Sequence, residues 1–130
     1  MREKIYIIGS SAHSIINFRY DLINCLRKTF KIYAFSQDYN YSTYNKLKKI
    51  NVHYYSYGSN KTTFINEILS FINLSKFLLK KQRIKVLSYT LRANFFIGLL
   101  SLLNKKRKHY PMITCLGGIF LYKNANLLRY

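Results

Sequence analysis

A three-layer α/β sandwich built on a parallel sheet is the fold class this sequence predicts, on three observations. The apolar run Ile5-Tyr6-Ile7-Ile8 is unbroken, as in a strand covered on both faces. It stops at Gly9-Ser10-Ser11 and passes at once into helical periodicity. The same succession of short apolar run, turn and helical pattern then returns along the chain, which implies parallel pairing through right-handed crossovers.

Each element has its own justification. In the first helix Ile15, Phe18, Leu22, Ile23 and Leu26 fall on one arc at 100° per residue, predicted to face the sheet, with Asn17, Asp21, Asn24 and Lys28 opposite. Arg19 falls inside the apolar arc, where it either snorkels to water or points into the crevice above the strands. Residues 31–35 read as the second strand, 42–49 as a short helix and 52–57 as the third strand, closed by the turn Gly58-Ser59-Asn60. His53, followed by Tyr54 and Tyr55, is read as strand packing. A long helix over 62–81 repeats Ile65, Ile68, Leu69, Ile72 and Leu79 at helical spacing, and Lys76, Lys80 and Lys81 suit its carboxyl end. Phe64, Phe71, Phe77 and Leu78 widen this arc, which with its basic end either lies in a lipid interface or, the reading preferred, is buried on the sheet. The fourth strand spans 85–89 and leads into a helix around 94–104. Pro111 then introduces a fifth strand over 112–115, ending at Leu116-Gly117-Gly118. The expected architecture is a Rossmann-like sandwich of about five parallel strands in the order 3-2-1-4-5. The loops after strands one, four and five then lie side by side, where ligands collect in such sheets.

Composition sets outer bounds. The 130 residues suit one domain, and 49% hydrophobic content excludes a disordered tail. Twenty-two Lys and Arg stand against four acidic residues, for a net charge of +18. Such a field favours polyanions or anionic lipid. An abundance of Lys, Ile, Asn and Tyr halves its weight, because coding sequence rich in A and T produces the same bias. Cys25 and Cys115 form no close pair and no ligand spacing, so metal and disulfide scaffolds are not expected and a cytoplasmic setting is. No signal peptide is expected, and the longest uncharged apolar stretch, 93–103, is too short to span a bilayer.

Three segments, Gly9-Ser10-Ser11-Ala12-His13-Ser14 with Asn17-Phe18-Arg19, Ser88-Tyr89-Thr90-Leu91-Arg92-Ala93-Asn94, and Thr114-Cys115-Leu116-Gly117-Gly118-Ile119-Phe120, carry a family likeness. In that order they resemble the amino-terminal half of bacterial family-four-type glycosyltransferases of GT-B architecture, which build surface polysaccharides or lipid-linked oligosaccharides. The family usually has Lys-Pro-Asn where this chain has Arg92-Ala93-Asn94, and Thr-Gly-Leu-Gly where it has Thr114-Cys115-Leu116-Gly117. The resemblance implies the acceptor-binding domain of a transferase, incomplete at its carboxyl end and without the domain that holds the nucleotide sugar. It implies no transfer by this chain alone, no cofactor bound by it, and a donor-binding domain or partner chain as complement. Its partner would be a sugar or lipid-linked sugar acceptor; the charge and the basic helix ends with Lys105-Lys106-Arg107-Lys108 add an anionic membrane surface, so the expected place is the cytoplasm, peripherally on the inner face of the cytoplasmic membrane.

The residues assigned to acceptor binding on this basis are Gly9, Ser10, Ser11, Asn17, Arg19, Tyr89, Thr90, Asn94, Gly117 and Gly118, with His13 as general base. Each has a plainer alternative. Gly9 and Ser10 either offer N–H groups to an anion or simply turn the chain. His13 is either a base or an idle loop histidine, and Asn17 either touches substrate or braces the loop. Tyr89, Thr90 and Asn94 suit a hydroxyl-rich acceptor or a structural role, and Gly117 and Gly118 permit a sharp turn. Two other classes compete. One is a basic nucleic-acid-binding or membrane-surface protein without enzymatic activity, using Lys105-Lys106-Arg107-Lys108; nucleic acid is disfavoured because no recognition signature occurs. The other is a dinucleotide-binding enzyme, disfavoured because Gly9-Ser10-Ser11 is not G-x-G-x-x-G and Asp38 lies beyond the end of the second strand.

Overall fold

In the computed structural model, residues 2–59, 61, 63–79, 84–103 and 108–111 are described. In chain order they form β1 (Lys4–Ile8), α1 (Ala12–Leu26), β2 (Lys31–Ser36), α2 (Tyr41–Lys49), β3 (His53–Ser56), α3 (Phe64–Leu79), β4 (Lys85–Ser88), α4 (Leu91–Leu103) and β5 (Lys108–Pro111). The five strands make one sheet in the order β3-β2-β1-β4-β5, all neighbours parallel. The strand order is the one the sequence predicts.

Central β1 explains the layering. Its side chains alternate between faces, so Tyr6 and Ile8 join Phe35, Val86 and the inward residues of α3 and α4, while Ile5 and Ile7 join Ala12, Ile15, Ile23 and Leu47 of α1 and α2. An aromatic ladder crosses the first face along the register, with Tyr6 stacked on Tyr33 at 5.0 Å and Tyr33 on His53 at 4.9 Å. Pairs of this kind add about 0.5–1.5 kcal/mol each beyond area burial. His53 is therefore a strand-packing residue.

Local chemistry sets the helix ends. Ser11 caps α1 by accepting from the Ser14 N–H at 3.2 Å, and Asn40 caps α2 by accepting from the Thr43 N–H at 3.0 Å. Asn51, at φ 56°, takes the left-handed conformation that ends α2.

Three expectations need correction. Phe18 stands in solvent, because the buried arc of α1 is rotated toward Ala12 and Ile16, with Ile15 and Ile23 at its centre. In α3 the residues against the sheet are Ser70, Leu74, Ser75 and Leu78, whereas Ile65, Ile68, Leu69, Ile72 and Leu79 face outward. Periodicity shows which residues share a face, not which way that face turns. The fifth strand begins four residues before the predicted start: its described residues are Lys108–Pro111, with Lys108 paired with Lys85. A mostly exposed outer strand carries charge and tolerates proline, so an apolar run is a poor guide to it. Residues 112–115, Lys80, Lys81, Lys105, Lys106, Arg107, Cys115, Gly117 and Gly118 lie outside the described residues. Among the described residues no helix is long and apolar enough to cross a membrane.

Candidate functional site

The sheet reverses its winding between β1 and β4, and the loops at their carboxyl ends part there to leave a crevice. A cleft of about 900 Å³ occupies this position, lined by Ser10 and Ser11 after β1, Gln37 after β2, Glu67 of α3, and Thr90, Leu91, Arg92, Phe95 and Phe96 of the β4–α4 segment.

The loop residue Gly9, next to the lining residue Ser10, is fixed by a set of interlocked aromatic and hydroxyl groups. The Tyr57 hydroxyl donates to the Gly9 carbonyl at 2.8 Å, and the Gly9 N–H donates to the Phe35 carbonyl at 2.9 Å. The Tyr89 ring lies directly against the Gly9 Cα, where any β-carbon would overlap it. Its hydroxyl is 3.1 Å from the Ser14 hydroxyl. Burial pushes the Tyr89 phenol up to about 12, and Tyr57 higher still, so both are neutral hydrogen-bonding groups.

Asp38 settles the electrostatics of the α1 amino end. Its Oδ1 accepts from the Ala12 N–H at 2.6 Å, placing a carboxylate where a bound anion would otherwise sit. The Asp38 main chain is itself held, its carbonyl accepting from the Ser36 hydroxyl at 2.6 Å and the Tyr54 hydroxyl at 2.9 Å. Across the cleft, Arg92 donates to Gln37 Oε1 and pairs with Glu67 Oε1 at 3.3 Å. Gln37, almost fully buried, donates in turn toward Glu67 at 3.3 Å and Ser70 at 3.4 Å. The guanidinium is thus neutralised by its own carboxylate, and the cleft pairs hydroxyls and one balanced ion pair with the apolar Leu91, Phe95 and Phe96.

The residues predicted for the site separate into groups. Ser10, Ser11 and Thr90 line the cleft, and their chain neighbours Gly9 and Tyr89 pack on one another beside it without lining it. The Gly9 N–H is taken up by β2, which leaves Gly9 no free donor for a ligand. His13 and Asn17 are exposed and do not line the cleft; the Asn17 amide donates to His13 Nε2 at 2.6 Å, one turn apart on α1. Arg19 does not line the cleft: it is half-buried on α1, its guanidinium carbon sits 4.9 Å above the Tyr89 ring and NH1 donates to the exposed Phe18 carbonyl at 2.9 Å. Asn94 braces the far side, accepting from the Ser88 hydroxyl at 2.6 Å, and that hydroxyl also meets His109 Nε2 at 2.7 Å. Burial holds His109 below its usual range. Gln37, Glu67 and the role of Arg92 were not anticipated, because they come from three separate elements and join no linear motif.

Among the described residues no cluster of His, Cys, Asp or Glu is able to hold a metal. No family model, curated protein or solved structure matches the chain. The likeness to glycosyltransferases therefore rests on the motif residues alone.

Proposed function

We propose that this chain is the acceptor-binding lobe of a glycosyltransferase, taking a neutral, hydroxyl-rich sugar group in the cleft between β1 and β4. The observation that carries the reading is the charge balance of the cleft. Asp38 occupies the anion position at α1 and Glu67 neutralises Arg92, so a phosphate would find neither the α1 end open nor an unpaired cation. Hydroxyls from Ser10, Ser11 and Thr90, set opposite Phe95 and Phe96, suit a ligand with polar edges and apolar faces. The same balance disfavours a dinucleotide at this loop. In this reading a second domain or chain supplies the nucleotide sugar, and the carboxylates here hold structure instead of a metal.

Ligand-observed NMR on the purified chain tests it. Saturation transfer to neutral di- or trisaccharides is expected, and replacing Thr90 by Trp, which fills the cleft, removes it. Transfer to nucleotides or NAD with none to any saccharide would overturn the proposal. The chain alone is expected to turn over no nucleotide sugar.

A further inference from the structure

The outward faces of α3 and α4 are the least expected surface of the molecule. A helix on a sheet normally turns its apolar stripe inward. Here α3 puts Leu74 and Leu78 with Ser70 and Ser75 against the sheet and still holds Ile65, Ile68, Leu69 and Ile72 in solvent, with Phe64 80% exposed. On α4, Leu91, Phe95 and Leu102 follow one another up the outer side with Gly98 between them, and Leu102 is 76% exposed. Nothing approaches the place where a Gly98 β-carbon would stand. Both helices cover the same sheet face, and Phe71 of α3 meets Phe96 of α4 edge-on at 5.4 Å. The two stripes therefore lie side by side, well beyond the scattered apolar residues usual on a soluble surface.

A row of cations borders this layer at one end. Each crossover returns to the start of a parallel strand, so the carboxyl ends of α3 and α4 lie at the amino edge of the sheet. Lys4 and Lys31, register partners at the starts of β1 and β2, share the Tyr6–Tyr33 side that α3 and α4 cover, whereas Lys85 and Lys108 alternate to the other face, where Lys85 lies 5.4 Å over the Phe30 ring. Lys4 and Lys31 are exposed, and Lys76 stands on the apolar stripe of α3 itself. Among the described residues only Glu3, paired with Lys85 at 2.8 Å, offsets the row at this edge.

We propose that the α3–α4 face lies on an anionic lipid bilayer, its aliphatic and phenyl side chains in the interface and the lysine edge against acidic head groups. An apolar face rimmed by lysine is the pattern that an interfacial helix presents. The charge of +18 tells against a second copy as occupant, since two such chains repel. It is equally poorly suited to nucleic acid, whose affinity comes from cations on the contact surface, and here that surface is hydrocarbon. The inference does not depend on what the cleft binds.

The chain contains no tryptophan, so a single inserted one reports its own surroundings. Leu102→Trp, outside the cleft, is expected to shift to the blue on phosphatidylglycerol vesicles and to be quenched by brominated acyl chains. Tyr41→Trp on α2, across the sheet, is expected to show neither effect. The pair Ile72→Ser and Leu102→Ser is expected to lower partitioning at least about tenfold, by removing two aliphatic groups from the interface. A thermal melt followed by circular dichroism confirms that these exposed changes leave the fold intact. Unchanged partitioning of the double variant would show adsorption by charge alone and overturn the proposal. So would absence of vesicle binding by the parent chain, or a dimer in sedimentation with Leu102→Trp already blue-shifted before lipid is added.

Discussion

Replacing Gly9 by alanine is the sharpest test of the packing beside the cleft, because the sign of its effect depends on one neighbour. Among the described residues no glycine has a positive φ, so Gly9 is not needed for its backbone angles. In an open position the substitution would stabilise by about 0.4–1 kcal/mol, through the unfolded chain. Here a β-carbon would run into the outer atoms of the Tyr89 ring, which Ser14 holds at the hydroxyl and Arg19 covers from above. Overpacking of this kind costs about 1–3 kcal/mol, or roughly 3–10 °C in melting temperature for a domain of this size. Tyr89→Leu removes the colliding atoms at a cost of its own of about 2–4 kcal/mol. On that background Gly9→Ala should become neutral or stabilising, a coupling of about 1.5–4 kcal/mol. Urea melts of the parent, the two single variants and the double variant measure it. If Gly9→Ala costs the same in both backgrounds, the packing of Tyr89 on Gly9 is not what requires the glycine.

Two pH responses follow. Tyr89 keeps its proton to about 12 in the folded chain, against 10.0 for an unperturbed phenol, so the unfolded state ionises first and binds fewer protons between those values. The stability this represents is complete below pH 10 and is lost as pH rises toward 12; Tyr89→Phe should flatten that slope in the urea midpoint, and an unaltered slope would refute it. His109 is shifted the other way, held below 6.5 by burial, so the unfolded state binds more protons as pH falls through that region. Stability should therefore drop on acidification below about pH 6.5, and His109→Gln should lessen the drop in the same assay.

The sheet was legible in the sequence because its signal is local: an unbroken run such as Ile5-Tyr6-Ile7-Ile8 ending in Gly9-Ser10-Ser11 declares a buried strand and its turn without reference to anything distant. The direction of a helix face is not local. The apolar stripe of α3 is plain in the sequence, yet only the fold shows that Ser70 and Leu74 pack inward while Ile65 and Ile72 do not. Phe18 misleads for the same reason. Half of the site was legible, since Ser10, Ser11, Thr90 and Tyr89 sit at strand ends where the topology gathers them. The other half arises from side chains reaching between elements. Arg92, Gln37 and Glu67 meet from α4, the β2 loop and α3, and Asp38 crosses from β2 to cap α1. His13 and Asn17 belong to the right loop and helix but satisfy one another on the exposed side of α1.

Leu91 and Phe95 line the cleft and also stand on the outer side of α4. On that flank the mouth has a hydrocarbon sill instead of a wet polar ring. A compact water-soluble guest leaves this sill bare, whereas an amphiphile with its head among Ser10, Ser11 and Thr90 covers it with its chain. If the cleft takes the proposed acceptor, selection at this opening would turn on what trails behind the head group as much as on the head group itself.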